Sequence, residues 1–209
     1  MSEARTFASK VVERIVASQL TGYFQSYDLM PRMQSGYRKY HSTEKALLRV
    51  MSDVYAAADE RRVTLLALLD LSAAFHCVDH DILLRRLGLA FGIEGSALAW
   101  LSSILSARTR RVYYLGQLPE VCHLLFGVLQ GSVLGLLLFL LYVAEVAKVL
   151  AVHGFKGRFY ADDTQPYISV PAAYAVDAAL RLSDCIVSIE SWMSSHRLKM
   201  NPTRLSYCG

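Results

Sequence analysis

Three aspartates are the residues of this sequence whose type and spacing are best suited to chemistry. Asp162 and Asp163 are adjacent and follow an apolar segment, and Asp70 ends the apolar run 63–69. Two neighbouring carboxylates repel each other unless a cation neutralises them, and hard oxygen ligands suit Mg²⁺ or Mn²⁺. Held on neighbouring strands, the three could bind two ions about 3.5–4 Å apart, as in two-metal phosphoryl transfer. For Asp162-Asp163 alone, a solvated β-turn is the commoner alternative.

The hydrophobic pattern predicts the elements that position these aspartates. The continuous apolar run 63–69 predicts a central strand buried on both faces, and residues 154–169 predict two short strands hinged at Asp162-Asp163. Further strands are expected in 108–126, joined across 116–119. Helices are predicted in the following segments: 7–23, the segment after Ser42, Asp79 to about 88–92, 96–106, the apolar run 133–150, and 179–193, where apolar residues recur at alternating spacings of three and four. This order favours an α+β fold in which helices pack on one face of an antiparallel sheet.

The composition narrows the class of protein. With 54% hydrophobic and 19% charged residues in 209, the chain is not disordered, a coiled coil or collagen-like. The four cysteines lie far apart and form no Cys-x-x-Cys pair, so neither a disulfide framework nor a zinc site is expected. The start of the chain is polar and lacks a secretory leader, which indicates an intracellular protein. The net charge of +4 mildly favours an anionic partner.

The most apolar stretch, residues 133–144, raises the question of a membrane span. A membrane-spanning helix needs about 20 apolar residues, and a shorter run is more often a buried helix. A membrane-associated helical protein is therefore the disfavoured alternative, and no membrane partner is expected.

Several motifs lie in one order along the chain: QSGYR at 34–38, LDLSAAF at 69–75, QGSVLG at 130–135, YADD at 160–163 and WMSS at 192–195. Together they resemble the reverse transcriptases of LINE-type (non-LTR) retrotransposons over about residues 7–204. Several ordered motifs are far more specific than any one of them.

The resemblance implies a fold and an activity. It implies a single polymerase domain, with partial helical fingers over about residues 1–62 and a palm over about 63–209. It implies an RNA-directed DNA polymerase that adds deoxynucleotides to a primer 3′ end with two Mg²⁺ (or Mn²⁺) ions. The implied partners are an RNA template, a DNA primer and deoxynucleoside triphosphates.

The resemblance also assigns roles to individual residues. Asp70 and Asp162 would be direct metal ligands, and Asp163 a supporting carboxylate, since successive strand residues point to opposite faces. Phe75 would be a steric gate against a ribose 2′-hydroxyl, although plain core packing is an equal alternative. The remaining assignments are nucleotide contacts at Gln130, Gly131 and Arg38, a basic cluster for the nucleic-acid backbone at Arg108, Arg110 and Arg111, and the general-acid position at Arg204.

The sequence departs from the family pattern in ways that leave a second function open. His76, Leu129, Leu136 and Arg204 stand where the family usually has aspartate, proline, proline and lysine. A catalytically inactive palm-fold remnant that binds nucleic acid or protein is therefore the alternative. Relative to the family, the chain starts after the earliest fingers motif and ends before the thumb, and the surface left by the missing thumb is expected to favour self-association.

Overall fold

The structure is a computed structural model that describes residues 2–29, 43–72, 74–106, 109–110, 122–128, 132–160, 163–201 and 206–208. The chain divides into two compact units. The first unit comprises Met1–Leu29 and Phe75–Tyr142, and the second comprises Met30–Ala74 and Val143–Gly209. The assignment of residues 1–62 to fingers and 63–209 to a palm stays a prediction.

Along the chain, helices and short strands mostly come in pairs. In chain order they are α1 (Ser2–Ser26), α2 (Thr43–Asp59), β1 (Arg62–Leu68), β2 (Leu71–Ser72), α3 (His80–Phe91), α4 (Gly95–Ser106), β3 (Thr109–Arg110), β4 (Cys122–His123), α5 (Val133–Val143), α6 (Val146–Val152), β5 (Lys156–Tyr160), β6 (Asp163–Pro171), α7 (Ala175–Ser195), β7 (Lys199–Met200) and β8 (Ser206–Cys208). Short 3-10 turns cover Ala74–His76 and Ala172–Tyr174. The predicted mixture of helices and an antiparallel sheet is confirmed.

Capping residues explain where α3 begins and ends. The Asp79 side chain accepts hydrogen bonds from the N–H groups of Asp81 and Ile82, each at 3.0 Å, which satisfies two donors at the helix start. Gly92 ends the helix in the left-handed conformation, at φ 65°, which costs glycine little. The prediction of a helix that starts at Asp79 and stops near 88–92 is confirmed.

The apolar segment after Ser132 differs from its prediction. The single helix expected over 133–150 is two helices, α5 and α6, separated by a turn at residues 144–145. By length and apolar composition Val133–Val152 could cross a membrane, and 56% of that window is buried inside the protein. The prediction that the apolar stretch is too short to cross a membrane, made from residues 133–144, is therefore wrong. The observation that favours a core helix is the burial of this segment inside the protein.

Strand β1 lies inside the main sheet, as predicted. The strand order is β5-β6-β1-β8 and every pairing is antiparallel. The prediction that β1 is buried on both faces is wrong in part. Ala67 is fully buried, residues 63–66 are half-buried and Leu68 is 38% exposed, because the described elements cover the two faces of β1 unequally.

Helices cover both faces of this sheet, which corrects the prediction of helices on one face. Lys156 and Tyr167 are paired on one face, and both contact Asp53 of α2. Gly157 lies on the opposite face, where a Cβ atom would clash with Leu150 Cδ1 of α6. The pattern of apolar residues in a half-exposed strand cannot show how many faces are covered, since that depends on helices distant in sequence.

A buried tyrosine links α2 to the sheet. The Tyr167 hydroxyl donates a 2.6 Å hydrogen bond to Asp53 Oδ2, and Lys156 lies 3.5 Å from the same oxygen. Burial, followed by this hydrogen bond, raises the pKa of Tyr167 to about 12, and the same bond lowers the pKa of Asp53. Arg158 is also buried beside them, 8% exposed, and its Nε and Nη1 have no hydrogen-bond partner within the described ranges.

The Tyr167–Asp53 bond predicts a pH-dependent contribution to stability. The raised Tyr167 pKa means that the neutral hydroxyl stabilises the fold fully below pH 10 and that this is lost towards pH 12. The lowered Asp53 pKa means that the carboxylate's contribution is present above 3.8 and is lost at lower pH. Between these limits we expect Tyr167→Phe to lower the free energy of unfolding by about 1 kcal/mol.

The measurement is the difference in the free energy of unfolding between wild type and Tyr167→Phe, obtained by urea unfolding at pH values from 3 to 12. That difference should shrink at both ends of the range. Tyr55→Phe is the matched control, because Tyr55 also belongs to the α2 region but is exposed and should show no difference. If the difference in the free energy of unfolding stays constant up to pH 12, the stabilising role of the Tyr167–Asp53 bond is contradicted.

Candidate functional site

Asp70 lies where the chain changes its strand partner. The preceding residue, Leu69, exchanges two 2.9 Å main-chain hydrogen bonds with Thr164 of β6. The following residue, Leu71, pairs with Met200 of β7 in a separate two-stranded sheet. Asp70 is therefore held between two antiparallel pairings at the end of β1, as the prediction for a residue leaving a central strand requires.

The register brings Asp70 and Asp163 to opposite positions. Leu69 pairs with Thr164, so one step further along the antiparallel register Asp70 comes opposite Asp163, the first residue of β6. Side chains at opposite positions share a face, with Cβ atoms typically about 4.5–5.5 Å apart. Tyr160 pairs with Asp163 on the other side, so β5 and β6 form the predicted pair of neighbouring strands. Asp162 lies outside the described residues.

Asn201 contacts Asp70 and was given no role from the sequence. Its side-chain Nδ2 donates to Asp70 Oδ2 at 3.1 Å, and its main-chain N–H donates to the Asp70 carbonyl at 2.9 Å. Asn201 belongs to the stretch LKMNP at 198–202, which follows the WMSS motif, but nothing in the local sequence shows that it faces Asp70. The signal becomes visible only once Leu71 is known to pair with Met200.

Phe75 belongs to the first unit and packs on an aromatic partner. Its ring centroid lies 4.5 Å from that of Phe139 of α5, with 40° between the planes, and the residue is half-buried. The Phe75 carbonyl also accepts a 2.7 Å hydrogen bond from Val128 N–H. These contacts give the core-packing interpretation direct support, while the steric-gate interpretation stays a prediction.

The segment that follows Phe75 packs closely against Gly127, a position that requires glycine. Gly127 adopts φ 87°, and a Cβ there would lie 3.1 Å from the Cα and O atoms of His76. Gly127 also donates to the Val78 carbonyl at 2.7 Å, and its own carbonyl is 2.8 Å from His80 Nε2. His80 is thus a buried histidine satisfied by a hydrogen bond to the main chain, as expected for a lone histidine.

Ser132 begins α5 and connects it to α1. Its hydroxyl donates to Glu13 Oε2 at 2.6 Å and accepts from Gly135 N–H at 2.9 Å, which caps the helix. Gln130 and Gly131, the predicted nucleotide contacts, lie directly before it and outside the described residues. Glu13 was not singled out from the sequence, and no local signal identifies it.

Other predicted site residues cannot be placed. Arg110 lies in β3, where it pairs with Cys122 across the strands, and its side chain is not described. The following residues lie outside the described part of the chain: Arg38, Arg108, Arg111 and Arg204. Their roles stay predictions.

The donor set at the end of β1 fits a hard divalent cation only in part within the described residues. Asp70 and Asp163 supply carboxylate oxygens, the donors that Mg²⁺ and Mn²⁺ prefer. No group of three or more histidine, cysteine, aspartate or glutamate side chains comes together in the portion of the chain that is described. The third predicted carboxylate, Asp162, lies outside that portion.

Comparison with protein families and with individual proteins gives one consistent result. The family profile for reverse transcriptase (RNA-dependent DNA polymerase) matches residues 2–208. The chain is 29% identical to the probable RNA-directed DNA polymerase from transposon BS of Drosophila melanogaster, and 32% identical to that from transposon X-element. It is 25% identical to the RNA-directed DNA polymerase from mobile element jockey of the same organism.

These matches cover most of this chain but little of the relatives. The transposon BS match spans 94% of this chain and 22% of the relative, and the X-element match spans 94% and 21%. The jockey match spans 92% and 21%. The chain thus spans about a fifth of the length of the curated relatives it matches.

Solved structures with a similar fold include telomerases. Telomerase from Candida albicans, in complex with a fragment of telomeric RNA, superposes with a TM-score of 0.67 at 13% identity, over 96% of this chain and 35% of that one. Apo telomerase from Candida tropicalis gives a TM-score of 0.69 at 13% identity, over 96% and 37%. At this identity the likeness shows the fold alone.

Proposed function

Because this chain belongs to the reverse transcriptase (RNA-dependent DNA polymerase) family, we propose that it is a polymerase core that copies an RNA template by extending a DNA primer with deoxynucleotides. The observation that carries the proposal is the antiparallel pairing of Leu69 with Thr164, because its register brings the next residue, Asp70, opposite Asp163. The relatives named as polymerases of transposable elements support the template and the reaction.

Each carboxylate has a defined part in this proposal. Asp70 and Asp162 would hold two Mg²⁺ or Mn²⁺ ions, and Asp163 would support them. When bound, such ions activate the primer 3′-hydroxyl and neutralise charge on the triphosphate. Asp70, at the end of a central strand, presents its carboxylate from a backbone fixed on both sides by main-chain pairing. Rigid placement of this kind suits in-line displacement, because catalysis of phosphoryl transfer rests on positioning and electrostatics.

The finer architecture is part of the same proposal. About residues 63–209, which contain Asp70, Asp163 and nearly all of the four-stranded sheet, would form the polymerase palm, and about residues 1–62 would form partial fingers. Arg38, Gln130 and Gly131 would contact the nucleotide, and the basic residues 108–111 would follow the nucleic-acid backbone. Arg204 would occupy the general-acid position. Self-association stays a prediction, and the activity would be intracellular, where templates and deoxynucleotides are present.

The proposal is tested by primer extension with the purified chain, an RNA template, a DNA primer, deoxynucleotides and Mg²⁺. We expect extension by wild type and none by the double variant Asp162→Asn, Asp163→Asn, because it removes two of the three carboxylates. Asp184→Asn is the matched control, since Asp184 is exposed on α7 and has no place in the site.

If wild type is folded and extends no more primer than the double variant, the polymerase proposal fails for this chain. The alternative, an inactive remnant that binds nucleic acid or protein, would then be the better description. Circular dichroism of every variant establishes that the chains compared are folded.

A further inference from the structure

We infer that Asn201 is a positioning residue that fixes the orientation of the Asp70 carboxylate for a divalent cation. The inference rests on the proposed function, because it assigns Asn201 a role toward the metal that Asp70 would hold. None of the sequence motifs assigns a role to Asn201.

Two hydrogen bonds join Asn201 to Asp70. The main-chain N–H of Asn201 donates to the Asp70 carbonyl at 2.9 Å, and the side-chain Nδ2 donates to Asp70 Oδ2 at 3.1 Å. The first bond sets the separation of the two backbones, and the second sets the rotation of the carboxylate. An isolated side-chain contact could shift by a change of rotamer, but here the backbone bond limits such a shift.

The pairing of β2 with β7 explains why the two residues meet. Leu71 pairs with Met200 and Ser72 with Lys199, so the antiparallel register continues directly to Asp70 and Asn201. On its other side Asp70 comes opposite Asp163 through the pairing of Leu69 with Thr164. Asp70 thus receives an amide donor from β7 on one side, and the register places Asp163 of β6 opposite it on the other.

The chemistry of the flanking groups supports a positioning role. The amide nitrogen Nδ2 stabilises a carboxylate by donation and is not itself a cation ligand, since its lone pair is delocalised into the amide carbonyl. Donation to Oδ2 directs one carboxylate oxygen to Asn201, so the orientation in which the other oxygen is offered to a cation is defined. Outer hydrogen bonds of this kind hold metal ligands in place, and their loss typically weakens metal affinity about 10–100-fold.

The experiment measures the Mn²⁺ dissociation constant of the full chain without nucleic acid, from the electron paramagnetic resonance signal of free Mn²⁺. We expect Asn201→Ala to raise this constant about 10–100-fold. Asn201→Val is the second variant, because a β-branched residue suits the end of a strand and also lacks the donor. Lys199→Gln is the matched control, since Lys199 is exposed on β7 and pairs with Ser72; its constant should stay that of wild type.

Melting temperatures with and without Mn²⁺ separate positioning from a structural role. A positioning role predicts that the increase caused by Mn²⁺ becomes smaller in both Asn201 variants. If these variants melt at lower temperature but keep the wild-type Mn²⁺ constant and increase, Asn201 is merely structural and the inference is wrong.

Asp70→Asn distinguishes failure of this inference from failure of the proposed function. If Asp70→Asn weakens Mn²⁺ binding and the Asn201 variants do not, only the inference is overturned. If Asp70→Asn binds Mn²⁺ as wild type does, the metal role of Asp70 fails, and the inference fails with it.

Discussion

Replacing Asp70 by asparagine is expected to lower the rate of primer extension by about three orders of magnitude. A carboxylate that holds a catalytic metal ion contributes several kcal/mol to the transition state, and each ~1.4 kcal/mol is a factor of ten in rate. Asparagine keeps the size of the side chain and the backbone that accepts the Asn201 N–H bond, so the fold should persist. The loss should therefore be a loss of chemistry.

The measurement is single-turnover extension of a DNA primer on an RNA template, with excess chain and Mg²⁺. Asp177→Asn is the matched control, because Asp177 is exposed in the first turn of α7 and carries the same charge. Urea unfolding of each variant checks that stability is retained. A rate for Asp70→Asn within tenfold of wild type would remove Asp70 from the catalytic set.

Truncating Phe139 to alanine is expected to lower the free energy of unfolding by about 3–5 kcal/mol. Phe139 is fully buried in α5, and its ring lies 4.5 Å from that of Phe75. Removing it loses transfer free energy and leaves a cavity that the surrounding side chains cannot fill completely. Since domains are typically stable by only about 5–15 kcal/mol, this is a large share of the total.

Urea unfolding of Phe139→Ala beside Val133→Ala gives the comparison. Val133 begins the same helix but is 48% exposed, so its truncation should change the free energy of unfolding by no more than about 0.5 kcal/mol. Equal effects of the two substitutions would show that α5 is not packed as described. If Phe75 is held mainly by Phe139, the variant should also change the environment of the Phe75 ring, observable by NMR.

Much of the fold could be predicted because it depends on neighbours in the sequence. The Asp79 cap and the Gly92 stop are local, so their chemistry alone places α3. The hairpin of β5 and β6 is also local, since its strands are separated by two residues. By contrast, the cover of both sheet faces arises from α2 and α6, which lie on opposite sides of β1 in the sequence.

The candidate site, too, could be predicted from the sequence only in part. The aspartate motifs and their order identify the family, and the family match over residues 2–208 confirms that identification. The roles of Asp162, Gln130, Gly131 and the basic residues still rest on the resemblance. What the sequence could not show is the partner of each side chain, as with Phe75, whose ring packs on a residue of a distant helix.

By itself, then, the sequence determined the family, the three aspartates and most of the elements, because motifs, caps and apolar periodicity are properties of neighbouring residues. The tertiary structure decided that Asp70 comes opposite Asp163, and that Asn201 donates to Asp70 at 3.1 Å. The two pairs join residues about 90 and 130 positions apart in the sequence. Such pairs are set by strand register, which depends on how all the strands and helices pack together and is not written in any one segment.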